Sequence, residues 1–174
     1  YLGCAPDTFL GAGYQTCRKL IDDGYIGTPV SVTSFLARSI WPEGHEGEPR
    51  VSAGGTLPYD MSVYYTNALV HLFGPIRRVG GLAPHYAYRH SHPDHLRFGE
   101  PMEVETPTCM YGALEFHSGV YGVYTLLGQS FTETPRIEVY GTHGTLICPD
   151  PNTFGGPVLL RRRGYAEFKE IPLI

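Results

Sequence analysis

Apolar residues recur at helical spacing in two stretches of the chain. In the first, Leu10, Tyr14, Cys17 and Ile21 are separated by four, three and four positions, and Gly24 follows as an end signal. This pattern predicts a helix that starts near residues 6–8 and ends before Gly24. The second stretch predicts a helix from Asp60 to Gly74-Pro75, with these apolar or aromatic positions: Met61, Tyr64, Tyr65, Ala68, Leu69 and Leu72.

The remaining apolar segments favour β-structure. Residues 30–37 (VSVTSFLA) and 76–83 (IRRVGGLA) are predicted as strands. Short turns separate three further pairs of strands and predict hairpins: 106–116 with 120–127, 136–140 with 145–148, and 158–162 with 167–171. Consecutive hairpins build antiparallel sheet. Residues 1–174 are therefore predicted to form one α+β domain, a large open, mainly antiparallel β-sheet with helices packed on one face.

The composition fits a folded domain and disfavours two kinds of partner. Of the 174 residues, 42% are hydrophobic and 17% are charged. The net charge of −4 gives no reason to expect nucleic acid, and no apolar run is long enough to span a membrane.

The cysteines favour a reducing compartment and thus the cytoplasm. None of the four, Cys4, Cys17, Cys109 and Cys148, has Cys-x-x-Cys spacing. Since the chain begins at Tyr1 without a leader, we interpret it as a fragment of a longer protein.

Two motifs that resemble ligand sites have a structural interpretation instead. Gly11-Ala12-Gly13 lacks a preceding strand and the third glycine of a dinucleotide fingerprint, so these glycines are expected to allow close packing. His90, His92 and His95 form a His-x-His-x-x-His array that could hold zinc. The stretch contains Pro93 and has no regular period, which favours an exposed loop between strands. No metal site is expected.

The start of the second predicted helix is the strongest candidate for chemistry. After Gly54-Gly55 and a short turn, Asp60 opens the helix, and Tyr64 lies four residues later on the same face. A carboxylate beside a phenol can bind and protonate a small polar substrate. The alternative is structural, because Asp is a common N-cap residue and Tyr on an apolar stripe usually lies in the core.

The segment before this helix is a candidate lid. Residues 39–53 show no periodicity and include Trp41, the only tryptophan. Loops of about this length in a compact domain are usually functional or disordered. Because the segment leads into Gly54-Gly55, it could cover the face of Asp60 and Tyr64, and Trp41 is then a candidate substrate-binding residue. A solvated surface loop is the alternative.

Four motifs occur in an order that resembles a known family. They are residues 20–27 (LIDDGYIG), 54–64 (GGTLPYDMSVY), 141–146 (GTHGTL) and 150–157 (DPNTFGGP). The first three are similar to the patterns L-I-x-x-G-x-I-G, G-G-x-x-x-x-D-x-x-x-H and G-T-x-G-x-L of the Gfo/Idh/MocA oxidoreductases, named for glucose-fructose oxidoreductase and inositol dehydrogenase. The fourth resembles the segment that follows in one branch. The resemblance is to the C-terminal, substrate-binding domain and covers nearly all of the chain.

The resemblance implies an enzyme that oxidises or reduces a CH–OH carbon of a sugar, cyclitol or related polyol with NAD or NADP. In that family an N-terminal Rossmann domain binds the cofactor and supplies a catalytic lysine in a Glu-Lys-Pro motif. Asp60 matches the substrate-binding acid, and Tyr64 stands where most members have the catalytic histidine. Tyr65 is a further candidate substrate contact. A free phenol titrates near pH 10, so Tyr64 would need a neighbouring cation to stabilise its phenolate.

Two further expectations follow from the resemblance. Neither a Rossmann fingerprint nor Glu-Lys-Pro occurs in these residues, so this chain alone is expected neither to bind NAD(P) tightly nor to turn over. A non-catalytic sugar-binding or regulatory relative is the alternative. The open face of the sheet is expected to form a homo-oligomer. Tyr111, Tyr121 and Tyr124 suit such an interface, although a core position suits them equally.

Overall fold

The computed structural model describes residues 2–38, 57–89, 96–97, 99–102, 104, 106–128, 130 and 132–174. A 3-10 turn, Thr8–Leu10, comes first. The α-helices within these residues are α1 (Ala12–Asp22), α2 (Leu57–Asp60) and α3 (Ser62–Phe73). The strands within them are β1 (Pro29–Ala37), β2 (Ile76–Leu82), β3 (Tyr88–Arg89), β4 (Pro101–Met102), β5 (Cys109–Phe116), β6 (Tyr121–Leu127), β7 (Thr134–Gly141), β8 (Gly144–Cys148), β9 (Leu159–Arg162) and β10 (Lys169–Glu170).

The first predicted helix is divided at Gly11. Its backbone is extended there, with φ −70° and ψ 160°, so the 3-10 turn and α1 are separate elements. A β-carbon at Gly11 would lie 2.5 Å from the carbonyl oxygen of Phe154. The prediction of one helix from residues 6–8 was therefore wrong at its start, because another part of the chain packs against this position. The predicted end is confirmed, since Gly24 follows α1 with φ 74°.

β1 lies inside an eight-stranded sheet, between β6 and β7. The strand order is β10-β9-β8-β7-β1-β6-β5-β2. β1 runs parallel to β6 and antiparallel to β7. The other pairings of this sheet are antiparallel. The predicted open, mainly antiparallel sheet is thus confirmed.

The helices cover one face of this sheet. Along β1, Val32 and Leu36 are buried, whereas Thr33 and Phe35 on the other face are only half-buried. α1 contacts β8, and α2 contacts β5 and β6. Side chains from these helices and from the buried face of the sheet form one hydrophobic core. The α+β fold with helices on one face is therefore confirmed. Among the described residues, no helix has the length and apolar character needed to cross a membrane.

All three predicted hairpins are present, but one small sheet was not predicted. β5 pairs with β6, β7 with β8, and β9 with β10, each antiparallel. Residues 84–95 were expected to be an exposed loop between strands. Instead, β3 within this stretch pairs with β4, and the two form a separate sheet. Strands of two residues carry too short a pattern to be predicted from sequence.

Gly13 marks a close contact between α1 and the loop that follows β8. Its amide donates a hydrogen bond to the Phe154 carbonyl oxygen at 3.1 Å. A β-carbon here would overlap the Gly155 carbonyl oxygen and lie 2.8 Å from Pro149 Cγ. We expect Gly13→Ala to lower the free energy of unfolding by about 1–3 kcal/mol, because the backbone of the loop must move.

Urea denaturation followed by circular dichroism measures this loss. Gly80→Ala is the matched control, because nothing lies within 4 Å of a β-carbon at Gly80. Its effect should stay within about 0.5 kcal/mol. Equal stability of the Gly13 and Gly80 variants would contradict the packing described here.

Candidate functional site

The junction between α2 and α3 holds Asp60, but Asp60 does not open a helix. It is the last residue of α2, and Met61 occupies the N-cap position of α3 without a side-chain capping bond. The Met61 amide donates to the Leu57 carbonyl oxygen at 2.9 Å, so a helical turn forms before Asp60. The predicted helix start was therefore wrong. Leu57 and Pro58 are buried, and their packing against the core stabilises this earlier helical turn.

Asp60 and Tyr64 remain one helical turn apart across this junction. The Tyr64 amide donates to the Met61 carbonyl oxygen at 3.2 Å, which keeps the backbone helical between the two elements. Asp60 is exposed, and Tyr64 is half-buried and packs against the hydrophobic core. An exposed carboxylate is thus followed, one turn later, by a phenol held partly in the core.

Tyr65 lies inside the core, with none of its surface exposed. Its hydroxyl has no hydrogen-bond partner in the described part of the chain. Burial raises the pKa of this phenol well above its ordinary value, and the negative charge of Asp150 adds to the effect. A substrate contact by Tyr65 would require the side chain to leave the core.

Arg38 and Glu133 lie beside the junction, and sequence reasoning missed both. Arg38 Nε is 3.3 Å from Glu133 Oε1, and Arg38 Nη1 is 3.6 Å from Met61 Sδ. The Nε–H makes no hydrogen bond within the described residues, so its contact with Glu133 is an ion pair only. The register that sets Ala37 opposite Thr134 brings the two residues together. No local sequence motif predicts the contact between Arg38 and Glu133, because it depends on the register between β1 and β7.

A cavity of about 360 Å³ lies between α3 and strands β2, β5 and β6. Thr66 and Tyr124 contribute polar atoms to a mainly apolar lining. The Tyr124 hydroxyl donates to the Ser62 carbonyl oxygen at 3.1 Å, and burial raises the pKa of Tyr124 to about 12. Neither Asp60 nor Tyr64 lines this cavity. The cavity is therefore a feature separate from the predicted site.

Several predicted features lie outside the described residues. They are Trp41, the candidate lid, Gly54-Gly55 and the histidines His90, His92 and His95. Within the described residues, no group of three His, Cys, Asp or Glu side chains could hold a metal ion. The predictions about the lid, Trp41 and the histidine array stay predictions.

A family model described as the GFO/IDH/MocA C-terminal domain matches residues 14–147. The chain belongs to this family. The match includes most of α1, the sheet from β1 to most of β8, and the junction with Asp60 and Tyr64. The family predicted from the four motifs is confirmed. A comparison with curated proteins returned no match.

Solved structures share the fold of this GFO/IDH/MocA domain at low sequence identity. An NAD binding oxidoreductase from Klebsiella pneumoniae is 22% identical, with a TM-score of 0.75 over 96% of this chain and 46% of its own. Levoglucosan dehydrogenase in complex with NADH and L-sorbose is 13% identical, with a TM-score of 0.74 over 94% and 44%. A putative NADPH-dependent oxidoreductase from Desulfitobacterium hafniense is 20% identical, with a TM-score of 0.74 over 99% and 49%. The chain thus spans less than half of each of these proteins.

Gly11 and Gly13 do not fit the glycine fingerprint of a nicotinamide dinucleotide site. A dinucleotide fingerprint needs glycines that leave room for the pyrophosphate between a strand and a helix. The element before Gly11 and Gly13 is a 3-10 turn, and the space that β-carbons would fill at these glycines holds backbone of Phe154 and Gly155. This confirms that the two glycines serve close packing.

Proposed function

We propose that this chain is the substrate-binding domain of an NAD(P)-dependent oxidoreductase that acts on the CH–OH group of a sugar, cyclitol or related polyol. The family match over residues 14–147, which includes Asp60 and Tyr64, is the observation that carries the proposal. A relative of the same fold, levoglucosan dehydrogenase, has been solved with NADH and L-sorbose. The cofactor would be bound by a Rossmann domain elsewhere in a longer polypeptide.

Asp60 and Tyr64 would have different roles in this reaction. The exposed carboxylate of Asp60 can accept hydrogen bonds from substrate hydroxyl groups. The phenol of Tyr64 can exchange a proton with the oxygen of the reacting carbon, in the place where most relatives have histidine. A cation from outside this chain, such as the catalytic lysine of the family's Rossmann domain, would stabilise the phenolate. Trp41 remains a proposed substrate contact.

A non-catalytic sugar-binding or regulatory protein is the second candidate. Tyr64 in the place of the catalytic histidine is the observation that favours it. Such a protein would bind the sugar through Asp60 without turnover. The kinetic experiment below separates the two candidates.

The open face of the sheet is proposed to join copies of the protein into a homo-oligomer. Val123 and Tyr121 near its centre are 53% and 59% exposed. Charged residues on this face form ion pairs with one another: Arg78 pairs with Glu115 at 3.4 Å, and Arg136 pairs with Glu138 at 2.6 Å. An apolar centre with paired charges around it suits association with an identical surface. Of the three tyrosines considered, Tyr124 is buried in the core instead.

Location in the cytoplasm is proposed from the cysteines. Cys4, Cys17, Cys109 and Cys148 are all free thiols, and the last three are buried. Free thiols persist in reducing compartments.

Tyr64→Phe should lower kcat of the full-length enzyme by about 100-fold or more, because the variant loses only the proton-exchanging hydroxyl. The measurement is steady-state turnover of NAD(P)H across a panel of sugars and cyclitols that includes levoglucosan and L-sorbose. Tyr65→Phe is the control, since its hydroxyl is buried without a described partner. Its kcat should stay within about twofold of wild type and its stability should not fall.

Unchanged kcat in Tyr64→Phe would move proton transfer to another residue. Absence of turnover in the wild type, together with sugar binding that Asp60→Asn weakens, would support the non-catalytic candidate.

Val123→Glu should dissociate the oligomer, because it buries an unpaired carboxylate at the centre of the interface. Sedimentation velocity of the full-length protein gives the mass of the assembly. Val63→Glu is the control, because Val63 lies on α3, on the side of the sheet that the helices cover, and is 40% exposed. A wild-type monomer, or equal masses for both variants and wild type, would contradict the proposed interface.

A further inference from the structure

Two turns form a groove at the end of the sheet where β1 begins. The groove has a volume of about 510 Å³ and is lined by residues 141–145 and 161–166. The first set forms the turn between β7 and β8, and the second covers the end of β9 and the turn toward β10. We call it the arginine groove, because Arg161, Arg162 and Arg163 all line it.

Backbone hydrogen bonds fix the shape of the arginine groove. The amide of Thr142 donates to the Thr28 carbonyl oxygen at 3.0 Å, and the amide of His143 donates to Ile26 at 2.8 Å. The amide of Arg163 donates to the His143 carbonyl oxygen at 2.8 Å, which joins the two turns directly. The walls are therefore positioned before any ligand binds, which lowers the entropy cost of binding.

The groove concentrates positive charge in a chain whose net charge is −4. None of its three arginines has a carboxylate partner among the described residues, and no acidic residue lines the groove. Two of the guanidinium groups lie over aromatic rings, Arg161 at 5.3 Å from the Phe168 centroid and Arg162 at 5.6 Å from that of Tyr25. Stacking restricts these two side chains without neutralising them.

We propose that the arginine groove binds a small phosphorylated molecule. The planar guanidinium fork matches the oxygens of a phosphate in a two-point contact. The volume lies within the range of small-molecule sites. Hydroxyl groups of Thr145 and Tyr165 in the lining add hydrogen-bond donors. A nucleic acid would instead meet the repulsion of a negatively charged protein over most of its length.

The arginine groove is separate from the site at Asp60 and Tyr64. Pro29 at the start of β1 pairs with Gly141 beside the groove, whereas Arg38 just beyond β1 contacts Met61 at the α2–α3 junction. The length of β1 puts about 30 Å between the two regions at 3.3 Å per residue. The proposal therefore stands independently of the proposed oxidoreductase activity.

Isothermal titration of the full-length protein with inorganic pyrophosphate tests this proposal. Saturating NADH is present, so that no dinucleotide site can take up the probe. We expect saturable binding, and the double variant Arg161→Gln with Arg163→Gln should raise Kd by about tenfold, because it removes two unpaired charges. The control, Arg18→Gln with Lys19→Gln, removes the same charge from α1, where the two side chains pair with Asp22 and Asp23. Its Kd should stay within about twofold.

A parallel titration with citrate distinguishes phosphate from carboxylate ligands, and we expect it to bind at least about tenfold more weakly. Absence of pyrophosphate binding, equal weakening by both double variants, or equal affinity for citrate would each overturn the proposal. Thermal unfolding of both double variants shows whether weaker pyrophosphate binding results from loss of the folded structure. Wild-type affinity for pyrophosphate in a folded variant that lacks Arg161 and Arg163 would also contradict the proposal.

Discussion

The pairing of β1 on both of its edges is the constraint on which the rest of the structure depends. β1 is parallel to β6 along seven residues and antiparallel to β7 along nearly its whole length. It therefore joins the β2-β5-β6 half of the sheet to the β7-β8-β9-β10 half. A shift of one residue in either register would turn Val32 and Leu36 out of the core and turn Thr33 and Phe35 into it. The same register places Arg38 and Glu133 beside the α2–α3 junction and Gly141 beside the start of β1.

The parts of the fold that were predicted correctly depend on local signals. The hairpins are marked by short turns such as residues 141–144, and Gly24, a glycine with positive φ, follows the end of α1. The parallel pairing of β1 with β6 joins segments about 90 residues apart, and no turn or motif encodes it. The false helix start at Asp60 has a similar origin. Asp is a strong N-cap residue by itself, but burial of Leu57 and Pro58 outweighed that preference.

In the candidate site, residues close together in the sequence could be predicted, whereas residues brought together by the sheet could not. Asp60 and Tyr64 could be found from their spacing and from the family pattern, because both lie on one stretch of chain. Tyr64 and Tyr65 are adjacent tyrosines, but each residue of a helix is rotated by about 100° from the one before it. This rotation places the side chain of Tyr65 inside the core, whereas Tyr64 is only half-buried. Arg38 and Glu133 could not be found, since sheet register alone brings them together. The missing strand and third glycine already exclude a dinucleotide loop at Gly11 and Gly13, and the loop at Phe154 and Gly155 packs against both glycines.

The central proposal is that this GFO/IDH/MocA domain supplies groups that face the substrate and that the dinucleotide site lies in another domain. The most direct test is a fluorescence titration of NADH with the 174-residue chain alone. The account predicts no saturable binding up to about 1 mM NADH. Saturation with a Kd in the micromolar range would contradict it, because this domain would then itself contain a dinucleotide site.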